Sequence, residues 1–326
     1  MGFGILTLLA VAYSLCKGEM NISFAKIPGI LLHGKGSMEY TILKNIRLPR
    51  IYVGLSIGGA LSIAGVILQG IYRNPLVEPY TLGISGGAAL AVAFIIVSGL
   101  DLSLGAFMLP VFGFIGALVP VFLVYFLSVR HGKLLTQNMV LIGVMISFIA
   151  SSGMIFLMST ATNENLHSIV FWVMGSLDET NGNLIVISVF ISLFGLLASY
   201  LFIHPLNALR LGEDKARHLG VNTDVSIKFL FIIASLLTGM CVSVAGVIGF
   251  VGLIIPQFIR LIVGSDFRIL LISSFLAGGS FLVFCDTIAR TIIAPNELPI
   301  GVITGILGGL AFIIMLIHTG QKQKFI

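Results

Sequence analysis

Long uncharged runs of apolar residues dominate the chain. Eight stretches without Asp, Glu, Lys or Arg lie between residues 51 and 321, and most of them are apolar on every side. A surface helix of a soluble protein would instead show a polar face. Because most of these runs reach the roughly 17 to 25 residues that cross a bilayer as a helix, the pattern predicts a polytopic all-α membrane protein.

Ten spans follow from these runs. Residues 1–16 predict a short first span, and the run over 229–259 is too long for one helix. Gly246, Gly249, Gly252 and Pro256 interrupt its second half, so we expect one helix to end near Val247 and a short one to end near Gly264. The runs do not alternate apolar and polar residues as barrel strands would. The whole chain, 1–326, is therefore predicted to be a single transmembrane domain.

Composition narrows the class further. Hydrophobic residues make up 57% of the chain and charged residues only 10%, against roughly 25% charged in a typical soluble domain. The net charge of +5 is spread among short loops, which argues against nucleic-acid binding. The three cysteines and six histidines show no metal-ligand spacing, so we expect neither a metal site nor a cofactor.

The loop charges predict an orientation. In the ten-span arrangement both termini lie on one side, and eleven of the 18 Lys and Arg residues fall there. Six of the other seven lie in the first loop of the opposite side. Because positive loops mark the cytoplasm, both termini are predicted to be cytoplasmic.

An internal repeat is visible in the second and seventh spans. Ser62-Ile-Ala-Gly-Val-Ile67 returns as Ser243-Val-Ala-Gly-Val-Ile248. Spans five apart cross in opposite directions, so the pattern predicts an inverted repeat of spans 2–5 and 7–10, as in many transporters. Chance similarity among small apolar residues is the alternative.

Five ordered motifs resemble one family, the permeases of the iron-siderophore, haem and cobalamin ABC importers, known as type II importers. The motifs are Arg47-Leu-Pro-Arg50, the segment from Gln69 to Ala89 that contains Arg-Asn-Pro-Leu-Val-Glu-Pro, Leu211-Gly-Glu-Asp-Lys-Ala-Arg-His-Leu-Gly-Val221, Gly249-Phe-Val-Gly-Leu-Ile-Ile-Pro256 with Arg260, and Asp286-Thr-Ile-Ala-Arg290 leading to Glu297-Leu-Pro-Ile-Gly-Val302. The resemblance covers nearly the whole chain. One departure is Gln257, where the family usually has His.

The polar stretch at about 205–227 is the longest on the predicted cytoplasmic side, and Glu213 to Gly220 suits a short helix. The resemblance implies that this stretch couples the chain to an ABC ATPase subunit, and an ordinary solvated loop is the alternative. The chain itself has no Walker A motif, because Gly36 follows Lys35 where Ser or Thr is required, so we expect no enzyme activity. The candidate coupling residues are Leu211, Gly212, Glu213, Ala216, Arg217, Leu219 and Gly220.

The resemblance also implies two further sites. Arg47, Arg50 and Arg290 would receive carboxylates of an external substrate-binding protein, and their alternative is anchoring of helix ends at lipid head groups. The translocation pathway and its cytoplasmic gate would include Gly83, Ser85, Gly86, Thr136 and Gln137. Close packing of the third span is the alternative for Gly83, Ser85 and Gly86.

Together these features predict the permease subunit of an ABC importer in the cell membrane. It would work as a homodimer with two ATPase subunits inside and a binding protein outside, and its substrate would be an iron-siderophore or a related metal chelate such as haem or cobalamin. The rival class is a secondary transporter or channel driven by an ion gradient, which usually buries charged residues in mid-membrane. Asp286 is the only acid that the sequence places close to a span interior, and we favour a structural capping or pairing role for it, beside Arg290, over proton relay.

Overall fold

The computed structural model describes residues 2–18, 20–100, 107–130, 133–134, 136–293 and 296–322. Their regular secondary structure is helical, apart from the antiparallel pair β1 (Val129–Arg130) and β2 (Lys133–Leu134). The α-helices are α1 (Gly2–Cys16), α2 (Ile27–His33), α3 (Met38–Thr41), α4 (Leu48–Tyr72), α5 (Ile84–Ser98), α6 (Met108–Ser128), α7 (Thr136–Thr160), α8 (Asn163–Met174), α9 (Gly182–Tyr200), α10 (Ile203–Leu209), α11 (Glu213–His218), α12 (Thr223–Ala245), α13 (Val251–Val263), α14 (Phe267–Thr291) and α15 (Ile300–Lys322).

Seven of the described helices are long and apolar enough to cross a bilayer, namely α4, α6, α7, α9, α12, α14 and α15. Three shorter apolar helices, α1, α5 and α13, pack among them. The seven long helices fall short of the ten spans expected from the sequence, and that number stays a prediction for the three shorter ones. The remaining short apolar segment, Phe24–His33, belongs to the connection between α1 and α4. It closes a separate small cluster with Ile22 and Leu43 at one end of the bundle.

The centre of the bundle is α4, which is buried from Val53 to Ile71 except for Leu55. Small residues let other helices approach its backbone closely. A Cβ on Gly58 would overlap the backbone of Gly278 in α14, and a Cβ on Gly65 would overlap the carbonyl of Gly252 in α13. The helix that carries Arg47 and Arg50 at its start is therefore held rigidly between α13 and α14.

The predicted break after the seventh span is confirmed, two residues earlier than expected. Helix α12 ends at Ala245, and Gly246 follows with φ +70°, a conformation that costs glycine little. Phe250 also has a positive φ, +71°, and stands directly before α13. The short helix then ends at Val263, so the predicted end near Gly264 is confirmed.

The outer surface of the bundle is apolar. Large side chains on α6, α7, α9 and α15 are exposed, and among them Phe148, Ile149 and Phe156 of α7 are more than 60% exposed. Helix α7 is the least buried of the seven long spans. In a membrane these faces would contact lipid or another subunit.

Candidate functional site: polar clusters at the two ends of the bundle

A cluster of ion pairs surrounds Arg50 at the start of α4. Its Nη2 atom lies 2.6 Å from Oε2 of Glu297 and 3.0 Å from Oδ1 of Asp178, and its Nη1 atom lies 3.5 Å from Oδ1 of Asp286. The Arg50 side chain is buried, whereas those of Asp178 and Glu297 are 58% and 48% exposed. The guanidinium is thus closed off from solvent by carboxylates on its outer side.

Asp286 also neutralises the second arginine of this end. Its Oδ2 atom accepts a hydrogen bond of 2.9 Å from Nε of Arg290, one helical turn later in α14. Arg290 Nη2 donates to Oγ of Ser14 in α1 at 3.0 Å. The pairing of Asp286 with Arg290 that the sequence favoured is confirmed, and the pair joins α1 to α14.

Arg47 differs from the other two arginines in having only backbone partners among the described residues. Its Nη1 and Nη2 atoms donate to the carbonyl oxygens of Leu15 and Met20, and only 1% of the residue is exposed. Arg47 therefore fastens the end of α1 to the start of α4. All three arginines that were expected to receive a binding protein are buried in the single chain. Docking of a binding protein through them remains a prediction.

The opposite end of the bundle carries the predicted coupling segment. The short helix expected over Glu213–Gly220 is confirmed as α11, which ends at His218. Gly212 before it and Gly220 after it have φ values of +109° and +82°, and Ala216 is fully buried. Leu211 and Leu219 are 57% and 64% exposed. The segment is anchored by one small residue and presents two leucines outward.

Polar contacts hold α11 to two neighbouring spans, α12 and α7. Arg217 donates from Nε to Oγ1 of Thr223 at 2.8 Å and pairs with Asp224 at the start of α12. Thr136, the first residue of α7, donates from Oγ1 to Oε1 of Glu213 at 3.3 Å. The structure thus brings the predicted gate residue Thr136 into contact with the predicted coupling helix.

A second, partly buried acid is Glu78. Glu78, in the connection from α4 to α5, accepts a hydrogen bond of 2.8 Å from the backbone N–H of Phe250 at the start of α13. Burial raises the pKa of the Glu78 carboxyl above its ordinary value, and the Phe250 N–H opposes this shift. The loop that carries Glu78 thus folds back against the start of α13.

Comparison with known proteins places this arrangement in a family. The model of the FecCD transport family matches residues 6–318. This chain belongs to the FecCD transport family. An ABC transporter permease of Bacillus subtilis called YvrB, itself uncharacterised, is 38% identical over 99% of this chain and 94% of its own length. The hemin transport system permease protein HmuU of Yersinia pestis is 34% identical over 99% of this chain and 97% of its own length.

The solved structures agree with this assignment. A structure described as an inward-facing conformation of a metal-chelate type ABC transporter has a TM-score of 0.82 and 28% identity, and the match covers 97% of each chain. The resemblance read from the motifs and the type II importer permease fold are confirmed. This FecCD chain is accordingly a multi-pass ABC permease of the membrane.

The predicted pathway residues of the FecCD chain are in tightly packed surroundings. A Cβ on Gly83 would lie 3.0 Å from Pro120 of α6, and one on Gly86 would lie 3.3 Å from Ala150 of α7. Ser85 is half-buried. For the two glycines the structure shows the close packing that the sequence left open as the alternative. The side chain of Gln137 lies outside the described part of the structure, so its role at the gate stays a prediction.

Gln257, the departure from the family pattern, ties two helix ends together. Its Nε2 atom donates to the carbonyl of Pro75 at 2.9 Å and to Oε1 of Gln69 at 3.3 Å. Gln69 in turn donates to the carbonyls of Gly252 and Leu253 in α13. The amide thus maintains a contact between α4 and α13 at this position.

Sequence reasoning missed the partners of Arg50. Asp178 lies in the connection from α8 to α9, and Glu297 lies just before α15. Glu297 also lines a cavity of about 460 Å³ with Phe171 and Trp172 of α8. Glu297 stands in a recognised motif and Asp178 is one of few acids in its part of the chain, but only the fold shows that both meet Arg50.

Proposed function

We propose that this chain is the membrane-spanning subunit of an ABC importer that carries an iron-siderophore or a related metal chelate, such as haem or cobalamin. The observation that carries the proposal is the separation of the two polar clusters. The Arg50 cluster lies where α4 begins and α14 ends, and α11 lies at the other end of the same bundle. A transport subunit driven by a motor on one side and loaded from the other needs this separation.

The α11 end is proposed to face the cytoplasm, with both termini on that side, and to receive an ATPase subunit. Leu211 and Leu219 are exposed apolar side chains on a polar segment, which suits insertion into a groove of a partner. The hydrogen bond from Thr136 to Glu213 links α11 to α7. A displacement of α11 by the ATPase would therefore move the start of α7, where the gate is proposed, as a rigid-body change. Gly212, Glu213, Ala216, Arg217 and Gly220 would preserve the shape of the segment.

The Arg50 end is proposed to receive the substrate-binding protein. Asp178 and Glu297 are half-exposed partners of Arg50, so carboxylates of a binding protein would be able to replace them at the guanidinium. Arg290 and Arg47 would support this surface from beneath. The chain is proposed to act as a homodimer, with the exposed face of α7 toward the pathway, and no observation favours ion-gradient transport.

The test is uptake of a radiolabelled ferric siderophore, haem or cobalamin into liposomes that contain the chain, a matching ATPase and the binding protein. Leu219→Asp should abolish ATP-dependent uptake and ATPase binding while leaving the melting temperature unchanged, because Leu219 is exposed. Leu32→Asp is the matched control, since Leu32 is 71% exposed in the first loop at the Arg50 end. Uptake by the chain alone without ATP, or equal losses in both variants, would overturn the proposal.

A further inference from the structure

Three arginines from distant parts of the sequence meet in one pocket at the α11 end of the bundle. Arg73 follows α4, Arg210 follows α10, and Arg260 lies in the last turn of α13. With Gln69 and Gln257 they line a pocket of about 340 Å³. None of the sequence motifs predicts this grouping, because the fold alone brings the three helix ends together.

The three arginines of this pocket have no ion-pair partner among the described residues. The described residues that line the pocket include no Asp or Glu. The nearby Asp266 carboxylate interacts electrostatically with Arg210, but its hydrogen bonds are made to other residues. Its Oδ1 atom accepts hydrogen bonds from the Arg268 N–H at 3.0 Å and from the Asn207 amide at 3.1 Å, which lower its pKa. Three like charges held together favour the binding of an anion.

The walls of the pocket are held in place by hydrogen bonds. Arg210 donates from Nη1 to the carbonyl of Ser265 at 2.8 Å, which fixes it across the connection from α13 to α14. Gln69 is 3% exposed and bonded to α13. Arg73 has a positive φ of +50°, and its Nη1 atom is 3.2 Å from where a Cβ on Gly212 would lie. The Arg210 guanidinium is therefore fixed by a hydrogen bond, and all three arginines project from helix ends, which lowers the entropic cost of binding a ligand.

We propose that the three-arginine pocket binds the phosphate group of an anionic phospholipid in the leaflet beside α11. Planar guanidinium groups match phosphate oxygens with paired donors, and basic pockets between spans on the cytoplasmic side are suited to anionic lipid head groups. This assignment to the inner leaflet rests on the orientation in the proposed function.

A neighbouring apolar face favours a lipid over free phosphate. Leu261, one helical turn from Gln257, is 63% exposed, and Phe258 and Ile262 on the adjoining face of α13 are 54% and 58% exposed. Acyl chains would lie against these side chains while the phosphate lies at the arginines. Inorganic phosphate offers the same chemistry at the arginines but makes no use of the apolar face.

The test uses the intact purified chain in a neutral detergent without ATPase, so that its outcome is independent of coupling. Native mass spectrometry would count bound dioleoyl phosphatidylglycerol against dioleoyl phosphatidylcholine, and a separate series would use sodium phosphate alone. We expect one site per chain selective for phosphatidylglycerol. Arg73→Gln should weaken it about fivefold, and Arg73→Gln with Arg260→Gln should weaken it about twenty-five-fold.

Arg268→Gln is the matched control, because Arg268 is an exposed arginine at the same end that does not line the pocket. It should leave binding unchanged. Equal weakening by Arg268→Gln and Arg73→Gln would overturn the site in favour of general surface charge. Binding of phosphate but not of the lipid would overturn the lipid assignment. Absence of phosphatidylglycerol binding by the intact chain would overturn the proposal. If Arg260→Gln fails to fold, lipid binding by the Arg73→Gln variant alone tests the site, because Arg73 is exposed.

Discussion

Two sets of three arginines lie at opposite ends of this bundle and differ in what surrounds them. Arg47, Arg50 and Arg290 are nearly fully buried, and each is bonded to carbonyls, carboxylates or a hydroxyl of the chain. Arg73 and Arg210 are exposed, Arg260 is half-buried, and none of these three has a carboxylate partner among the described residues.

The difference teaches that a basic residue at a helix end has two uses in this fold. At the first end the arginines fasten α1, α4, α14 and the loops before α9 and α15 to one another. At the α11 end they remain available to a ligand. Removing partners should therefore damage the fold at the first end and leave it intact at the second, which separates the two sets experimentally.

The largest effect is expected from Asp286→Asn. This change leaves the buried guanidinium groups of Arg50 and Arg290 without their shared anion, and loss of one partner of a buried ion pair costs about 3–5 kcal/mol. The free energy of unfolding in detergent micelles should fall by that amount. The control is Asp224→Asn, which breaks the exposed Arg217–Asp224 pair and should cost at most about 1 kcal/mol. Similar losses in the two variants would contradict the buried cluster.

A smaller loss is expected from Arg47→Met. The methionine fills most of the space, but the carbonyls of Leu15 and Met20 lose their donors, and an unsatisfied buried acceptor costs about 1–3 kcal/mol. Protease accessibility of the connection between α1 and α4 should also rise. Lys44→Met, at an exposed lysine of the same connection, provides the comparison, and a loss as large as that of Arg47→Met would show that charge rather than burial matters.

The smallest effect on stability is expected from Arg73→Gln. Arg73 is exposed and makes no described hydrogen bond or ion pair, so in lipid-free detergent its replacement should change the free energy of unfolding by less than about 0.5 kcal/mol. Thermal unfolding without phosphatidylglycerol measures the contribution of Arg73 to stability, and unfolding with added phosphatidylglycerol measures its contribution to lipid binding. A large loss of unfolding free energy without lipid would mean that arginines stabilise the fold at the α11 end as well.

The internal repeat shows how far the sequence alone reaches. Gly65 and Gly246 occupy the same position in two nearly identical six-residue segments, yet Gly65 continues α4 and Gly246 ends α12 with a positive φ. At the end of the second segment, the N–H group of Ile248 donates to the hydroxyl of Tyr80. Two residues later, the N–H group of Phe250 donates to the carboxylate of Glu78. The six-residue segments alone do not distinguish the two cases. The glycines and proline that follow the second segment predict the break, and these two N–H groups find partners about 170 residues away.

The all-helical membrane fold, the break before α13, the short helix α11 and the family resemblance could all be read from the sequence. Those features depend on run length, glycine and proline positions and motif order, which are local properties of the chain. Only the tertiary structure decided four other features: the burial of Arg47, the carboxylates around Arg50, the contact from Thr136 to Glu213 and the three-arginine pocket. Each of these joins residues from separate helices, and helix packing, not spacing along the chain, determines which helix ends meet.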